Sequence, residues 1–256
     1  MGNPISLYES WIWESDHEDL DETPLFSDLG AISAYTSLEY PTLLHTNMTT
    51  NESHRGIIGI SKSFSVKAES ELVLLKNSKV DILNGSELTV ESGATLTIGK
   101  YVEFTNGKII IEDGATVNID TDLTLDHTEI LLYNSSLSVS SANLDNQSSF
   151  WLHGSGTYEI TYSDFSNGSK IMGVNNQGSV LVDNCEFDDS YVHIENNNFA
   201  PSILATISDC DFANSNNYTA IRVEGCNTYN IDNNTIDNYM YGIEVWNSGH
   251  EKEIIL

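Results

Sequence analysis

A six-residue pattern returns four times in the C-terminal half of the chain and constrains the fold more than any other feature. In each copy an apolar residue is followed three positions later by a small or polar residue, and two positions after that by another apolar residue. The copies begin at Ile160, Val182, Ile207 and Ile231, so their period lies in the low to middle twenties. Such a period with strand-forming residues is too short for a pair of helices and is typical of one turn of a β-solenoid.

The preceding part of the chain carries a second form of the repeat. Val90-Glu-Ser-Gly-Ala-Thr-Leu-Thr-Ile98 recurs one period later as Ile111-Glu-Asp-Gly-Ala-Thr-Val-Asn-Ile119. A shortened copy starts at Leu132, and residues 74–82 are interpreted as a looser, earlier copy. The two forms are joined by Val139-x-x-Ala142-x-Leu144, which matches the six-residue pattern one period before Ile160.

Together the two repeats predict an all-β chain that folds as one parallel β-helix of about eight turns over residues 56–256. Residues 1–55 carry no repeat, so we expect them to form an irregular N-terminal cap or linker. A further period of about 24 residues from Ile231 would place another copy near Ile255. We therefore expect the domain to be truncated there, with further turns or neighbouring domains in a longer protein.

Positions one, four and six of the pattern are expected to face inward and to stack on their equivalents in the neighbouring turns. The sixth positions form the column Phe165, Phe187, Phe212 and Ile236. The fourth positions form the column Ser163, Cys185, Cys210 and Asn234.

The backbone must bend just before the fourth position, because strict strand alternation fails there. Three copies carry Asn184, Asp209 or Asn233 at this point, and Asn and Asp tolerate the left-handed conformation that such a bend requires. The remaining copy has Tyr162 instead. We therefore expect the bend at Tyr162 to differ from the others.

A short alternating strand follows each copy and predicts two rows of outward side chains. The inward positions are Val192, Ile194, Ile221, Val223, Ile243 and Val245. The first outward row is His193, Arg222 and Glu244. The second outward row is Glu195, Glu224 and Trp246. The segments that link these strands vary in length, and such loops on one side of a solenoid often bind ligands. From the two outward rows we therefore expect ligand binding by His193, Arg222, Glu244 and Trp246.

The charge of the chain limits its partners. Aspartate and glutamate number 38 against 10 lysines and arginines, for a formal net charge of −28. Such a chain repels nucleic-acid phosphates and anionic lipids, so neither nucleic acid nor a membrane surface is an expected partner. No run approaches the roughly 20 apolar residues that cross a bilayer, so membrane insertion is not expected either. The N-terminal apolar stretch is interrupted by Glu9 and does not resemble a signal peptide.

The three cysteines are too few for a disulfide scaffold. Cys185 and Cys210 share one repeat position, so we expect them to stack as buried thiols, although a strand spacing of about 4.8 Å is also compatible with a disulfide. Cys226 lies outside that register.

The repeats Val182-Asp-Asn-Cys-Glu-Phe187 and Ile207-Ser-Asp-Cys-Asp-Phe212 resemble the right-handed parallel β-helix repeats of the pectate-lyase-like superfamily. The Gly-Ala-Thr turns resemble the N-terminal turns of large secreted bacterial surface proteins with such helices. This resemblance implies a right-handed β-helix and an extracellular or cell-surface location. It implies no single activity, because the superfamily includes lyases, hydrolases, epimerases, tailspikes, adhesins and modules without catalysis.

A lyase of this family would need a basic side chain to abstract a proton beside a neutralised carboxylate. Arg222 is the only arginine on the regular part of the repeat, so it is the catalytic candidate, with His193 nearby. The alternative is that Arg222 pairs with neighbouring glutamates on a solvated surface. A hydrolase is less well supported, because the aspartate and histidine motifs of polygalacturonase-like enzymes are missing.

An acidic row raises the question of a metal site. Asp164, Glu186 and Asp211 occupy equivalent outward positions in three successive copies. Like charges at about 4.8 Å repel one another unless they are hydrated or bridged by a cation. Ca²⁺ is the expected cation, because its oxygen coordination is flexible, whereas the fold itself requires no cofactor.

The sequence thus predicts a noncatalytic, secreted or cell-surface β-helix module that binds a polysaccharide or another surface, or that acts as a rigid spacer. The first alternative is a lyase acting on an acidic polysaccharide. A second alternative is a trimeric adhesin that resembles a tailspike.

Overall fold

The computed structural model describes residues 42–196, 204–215, 219–226, 228–246 and 252–255. They form short β-strands joined by turns, and the helical structure in this described part is a single 3-10 turn at Leu83–Gly85. The strands build an all-β parallel solenoid of about 9 turns, so the fold class is confirmed with about one turn more than expected. Of the cap or linker expected for residues 1–55, residues 1–41 lie outside the described residues.

Successive turns contribute strands to three faces. The first face contains β1 (Thr42–Leu44), β3 (Ile57–Ile60), β6 (Lys79–Ile82), the start of β9 (Glu103–Ile111), the start of β11 (Thr124–Tyr133), β13 (Asn143–Asp145), β16 (Asp164–Ser166), β19 (Glu186–Asp188), β22 (Asp211–Ala213) and β25 (Thr235–Ile236). The second face contains β4 (Phe64–Val66), β7 (Glu87–Val90), the ends of β9 and β11, β14 (Ser149–His153), β17 (Lys170–Val174), β20 (Tyr191–Glu195), β23 (Thr219–Glu224) and β26 (Tyr241–Trp246).

The third face is split into two sheets. The first sheet contains β2 (Glu52–His54), β5 (Glu71–Leu74), β8 (Thr95–Ile98) and β10 (Thr116–Ile119). The second sheet contains β12 (Leu137–Ser140), β15 (Thr157–Thr161), β18 (Ser179–Asp183), β21 (Leu204–Ser208) and β24 (Thr228–Asp232). An isolated bridge between Thr121 and Ser140 continues the stack across the break.

The six-residue pattern spans the corner between the third and first faces. Its first position is the next-to-last residue of a third-face strand, as at Ile160 in β15. Its sixth position lies in the following first-face strand, as at Phe165 in β16. Val139 pairs with Ile160, and Leu144 pairs with Phe165, so the two forms of the repeat are continuous. This confirms that the pattern sets the register from turn to turn.

The bend before the fourth position is left-handed in every copy, including the one with tyrosine. Asn184, Asp209 and Asn233 have φ angles of 53°, 51° and 55°, and Tyr162 has a φ of 49°. The expectation of a different bend at Tyr162 was therefore wrong. The left-handed residue points its amide at the next turn, as when Tyr162 N–H donates to the Asp183 carbonyl at 3.1 Å, and that inter-turn bond fixes the conformation whatever the side chain.

The core consists of side-chain columns that run along the solenoid. Phe165, Phe187 and Phe212 are at most 1% exposed, and their rings stack at centroid distances of 4.6 and 4.5 Å. Ile236 continues this column as a partly buried residue. The cysteines are free and buried, with Cys185 and Cys210 in the predicted column and Cys226 after β23.

Some expected boundaries differ from the structure. Strands β1 and β2 pair with β3 and β5, so the solenoid already includes residues from Thr42 onward rather than from Gly56. The earlier copy of the second repeat form starts at Val66, because Val66 pairs with Val90, and Leu74 instead pairs with Ile98. Residues 74–82 were therefore assigned to the wrong phase.

The last described strand also departs from the repeat. Strand β27 (Lys252–Ile255) pairs antiparallel with β26, where Ile255 lies opposite Ile243. The expectation that Ile255 starts a new parallel copy above Ile231 was wrong. In the described part of the chain no helix has the length and apolar character needed to cross a membrane.

Candidate functional site on the second face

The outward side chains of the second face differ in kind from those of the other faces. Outward positions of the first and third faces are mostly short polar or acidic residues, whereas those of the second face include aromatic and long charged residues that are only partly exposed. Trp151 and Trp246, the tryptophans within the described residues, both lie on this face. The second face is therefore the surface best equipped for a ligand.

Strand pairing confirms the two outward rows at the C-terminal end of this face. In the first row, Arg222 is the Cα partner of His193 on one side and of Glu244 on the other. In the second row, Glu224 is the partner of Glu195 and of Trp246. The alternation and spacing of the sequence were sufficient to place these residues side by side.

Glu224 is the centre of the charged cluster that these rows form. Its Oε1 forms an ion pair with Nε of Arg222 and lies 3.4 Å from Nε2 of His193. The guanidinium carbon of Arg222 lies 5.5 Å from the centroid of the Trp246 ring, within the range of a cation–π interaction. His193, Arg222 and Trp246 are thus brought together as expected, but through a glutamate that was not singled out as a ligand-binding residue.

Glu244 has a different environment from its neighbours in the row. The residue is only 4% exposed, and its Oε2 accepts a hydrogen bond from Thr219 Oγ1 at 2.9 Å. A buried carboxylate held by a hydroxyl is positioned to support the strand pair rather than to reach a ligand. Glu244 thus lies in the outward row that the sequence predicts, opposite Arg222, but the sequence did not predict that it would be buried.

Arg222 fits an ion pair better than a catalytic base. The carboxylate of Glu224 attracts the protonated guanidinium, and the Trp246 ring adds to that attraction. A base for β-elimination must instead give up its proton before it acts. The geometry matches the alternative interpretation of Arg222 as part of a surface ion pair.

The same face continues toward the N-terminus as an aromatic and apolar surface that the sequence interpretation missed. Successive Cα partners of His193 in this row are Met172, Trp151 and Leu131. In the next row Tyr133 and His153 stack with centroids 4.9 Å apart. The signal was present in the sequence, because two steps of the repeat period lead from His193 back to Trp151.

Polar contacts hold Trp151 in place. Its Nε1 donates to Ser149 Oγ at 2.9 Å, and the Lys170 ammonium lies 5.5 Å from the centroid of its ring. The indole is therefore fixed before any ligand arrives, which lowers the entropy that binding would cost.

The acidic row Asp164, Glu186 and Asp211 lies on the first face, away from this surface. The three residues are Cα partners in successive turns, as expected, and all are exposed. Among the described residues, no group of three or more His, Cys, Asp or Glu side chains is arranged to hold a metal ion. Calcium binding by this row stays a prediction.

Comparison of the chain with protein-family models, with curated proteins and with solved structures finds no match. The parallel β-helix is established by the structure, and the resemblance to the pectate-lyase-like superfamily rests on the repeats alone.

Acid is expected to destabilise the fold through His193. Burial lowers the pKa of His193, Glu224 opposes this shift, and Arg222 adds to it. The unfolded state therefore binds this proton at a higher pH than the folded state does. The stability that neutral, buried His193 contributes is fully present above the ordinary histidine pKa of about 6.5, and it is lost as the pH drops below that value. We expect His193→Gln to reduce this loss between about pH 7 and pH 5, as measured by urea unfolding.

The matched control is Met172→Gln, which changes the Cα partner of His193 in the neighbouring strand and removes no titratable group. It should leave the loss of stability in acid unchanged. An identical acid profile for His193→Gln and the parent protein would show that burial of His193 does not contribute.

Proposed function

We propose that this protein is a noncatalytic β-helix module that binds a glycan through the outward side chains of its second face. The observation that carries the proposal is the preordered strip that runs from Tyr133 and Trp151 to Arg222 and Trp246. Its side chains are half-buried or exposed, and they are held by stacking, hydrogen bonds and ion pairs.

The chemistry of the strip suits a carbohydrate. Aromatic side chains offer apolar surface to the C–H groups of a sugar, and carboxylate, imidazole and guanidinium groups offer partners to its hydroxyls. A parallel sheet presents these groups along several turns, so an extended chain of sugars could contact many of them. Lys170 and Arg222 also place positive charge on this face of an otherwise acidic protein.

A role outside the cell or at the cell surface is part of the same proposal. It is supported by the repeats that resemble the pectate-lyase-like superfamily, and by an acidic surface that disfavours nucleic acid and anionic lipid. In such a setting the solenoid would present its glycan-binding face as a rigid surface.

The test is a glycan array of neutral and acidic polysaccharides, followed by titration calorimetry with the best oligosaccharide. We expect the parent protein to bind, and the double variant Trp151→Ala/Trp246→Ala to bind at least about ten-fold more weakly, because both ring contacts are lost. Circular dichroism and thermal melting verify that the variant is folded.

The control is Glu159→Ala/Thr206→Ala, which truncates two outward side chains of the third face and should bind as the parent does. Equal loss in both double variants, or no binding to any glycan, would contradict the proposal and favour a rigid spacer. Release of unsaturated, ultraviolet-absorbing products, abolished by Arg222→Ala, would instead identify a lyase.

A further inference from the structure

A groove of about 440 Å³ lies at the corner between the third and first faces. It is lined by the left-handed corner residues of four successive turns, Tyr101, Asp122, Ser141 and Tyr162. The two tyrosines are therefore about 14 Å apart along the solenoid, the length of three strand spacings. The small side chains of Ser141 and Ala142 leave the space between them open.

The two tyrosines are unusual for their position. Equivalent corners elsewhere in the stack carry Asn77, Asn184, Asp209 and Asn233. An aromatic residue is disfavoured in the left-handed region, where Asn and Asp are enriched. Tyr101 and Tyr162 are nevertheless 55% and 62% exposed, so neither ring contributes much to the core. Their presence on both sides of one groove calls for a reason other than packing.

The groove carries a carboxylate that is available to a cation. Glu103, Asp122 and Asp164 line it, but Lys79 forms an ion pair with Glu103 and Lys100 forms one with Asp122, so its uncompensated negative charge lies at Asp164. The protein as a whole has a formal charge of −28, so its long-range field also attracts cations to the groove. A cationic ligand is the partner whose charge fits.

Beside the groove, the chain itself shows how a cation is held. The Lys100 ammonium lies 4.8 Å from the centroid of the Tyr101 ring and 3.2 Å from Oδ2 of Asp122. These contacts also raise the pKa of Lys100, chiefly through its hydrogen bond to Asp122, and so favour its charged form. Tyr162 and Asp164 supply the same pair of groups, an aromatic ring and a carboxylate, farther along the groove.

We propose that this groove binds a lysine- or arginine-bearing peptide segment of a partner protein, with one cationic side chain over Tyr162 and beside Asp164. An extended segment of about four residues spans the distance between the two tyrosines, at about 3.3 Å per residue. The inference goes beyond the proposed glycan binding, since it uses a different surface and a different ligand chemistry. Either proposal can fail without the other.

The test is calorimetric titration with a blocked hexapeptide of alternating lysine and glycine, at low and at physiological salt. Binding should weaken as salt increases. Tyr162→Asn keeps the net charge and introduces a residue favoured at a left-handed corner, so the fold should be retained; we expect about five-fold weaker binding from loss of the cation–π contact. Asp164→Asn should weaken binding about ten-fold, because a charge partner is lost.

Asp211→Asn is the matched control for charge. Asp211 lies in the same outward row as Asp164 and is also exposed, but it does not line the groove. It should change the affinity by less than about two-fold, because only long-range attraction is altered. The glycan-site variant Trp151→Ala/Trp246→Ala should bind the peptide as the parent does.

Equal effects of Asp164→Asn and Asp211→Asn, with no effect of Tyr162→Asn, would overturn the proposal and indicate nonspecific attraction to an acidic protein. Absence of peptide binding at low salt would also overturn it. Binding of a neutral oligosaccharide such as maltohexaose that is lost in Tyr162→Asn but unaffected by Asp164→Asn would reassign the groove to a glycan.

Discussion

Replacing Phe187 with alanine is expected to lower the free energy of unfolding by about 3–5 kcal/mol. Its ring is 1% exposed and lies between those of Phe165 and Phe212, at centroid distances of 4.6 and 4.5 Å. Truncation removes both stacking contacts and leaves a cavity that the surrounding strands cannot close, because strand pairing fixes the distance between turns. Urea unfolding followed by circular dichroism measures the loss.

Two further variants make this prediction specific. Met240→Ala truncates a side chain that is 61% exposed and should change stability by no more than about 0.5 kcal/mol. Phe187→Leu keeps most of the buried volume and should cost clearly less than the alanine variant. A loss for Phe187→Ala no larger than that of Met240→Ala would mean that the aromatic column does not stabilise the stack.

Hydrogen exchange measures where the Phe187→Ala variant loses protection. The loss should be concentrated in the adjacent turns, since each turn contacts only its neighbours.

The sequence was sufficient to predict the stack and its register. Two periodicities act together: the alternation of strands assigns each side chain to a face, and the length of the repeat assigns it to a row. The stack of Phe165, Phe187 and Phe212, and the row of His193, Arg222 and Glu244, follow from these two facts alone. A one-residue slip would turn every inward side chain outward, so the register is strongly determined.

Backbone conformation at the corner was harder to predict from side chains. Tyr162 was expected to alter the bend because tyrosine rarely adopts a positive φ. The inter-turn hydrogen bonds of the repeat outweigh this local preference, as they also do at Tyr101. A tyrosine in a position that favours asparagine is thus a sign of a surface role rather than of a different fold.

Side-chain contacts within a face could not be derived from the pattern. Arg222 pairs with Glu224 two residues away on its own strand, although Glu244 lies directly across from it. Rotamers and burial decide between such neighbours, and neither is encoded in the period. The groove between Tyr101 and Tyr162 escaped prediction for a similar reason, because its open space depends on the small size of Ser141 and Ala142 between them.

Gly178→Ala is expected to destabilise the protein by about 3 kcal/mol, because the turns approach too closely there for any side chain. A Cβ at this position would overlap the carbonyl oxygen of Gly156 in the preceding turn, well inside the 3.0 Å below which real Cβ contacts essentially never occur. The obstacle is backbone, so it cannot rotate away, and the two successive turns must separate at this corner. Urea unfolding measures the loss.

Gly85→Ala is the control. A methyl group there has no atom within 4 Å, and only the left-handed φ of 70° opposes it, at a cost of about 1 kcal/mol. An equal loss of unfolding free energy in the two variants would contradict this prediction. It would show that the corner between β17 and β18 accommodates the added methyl group without a cost from the close approach of the turns.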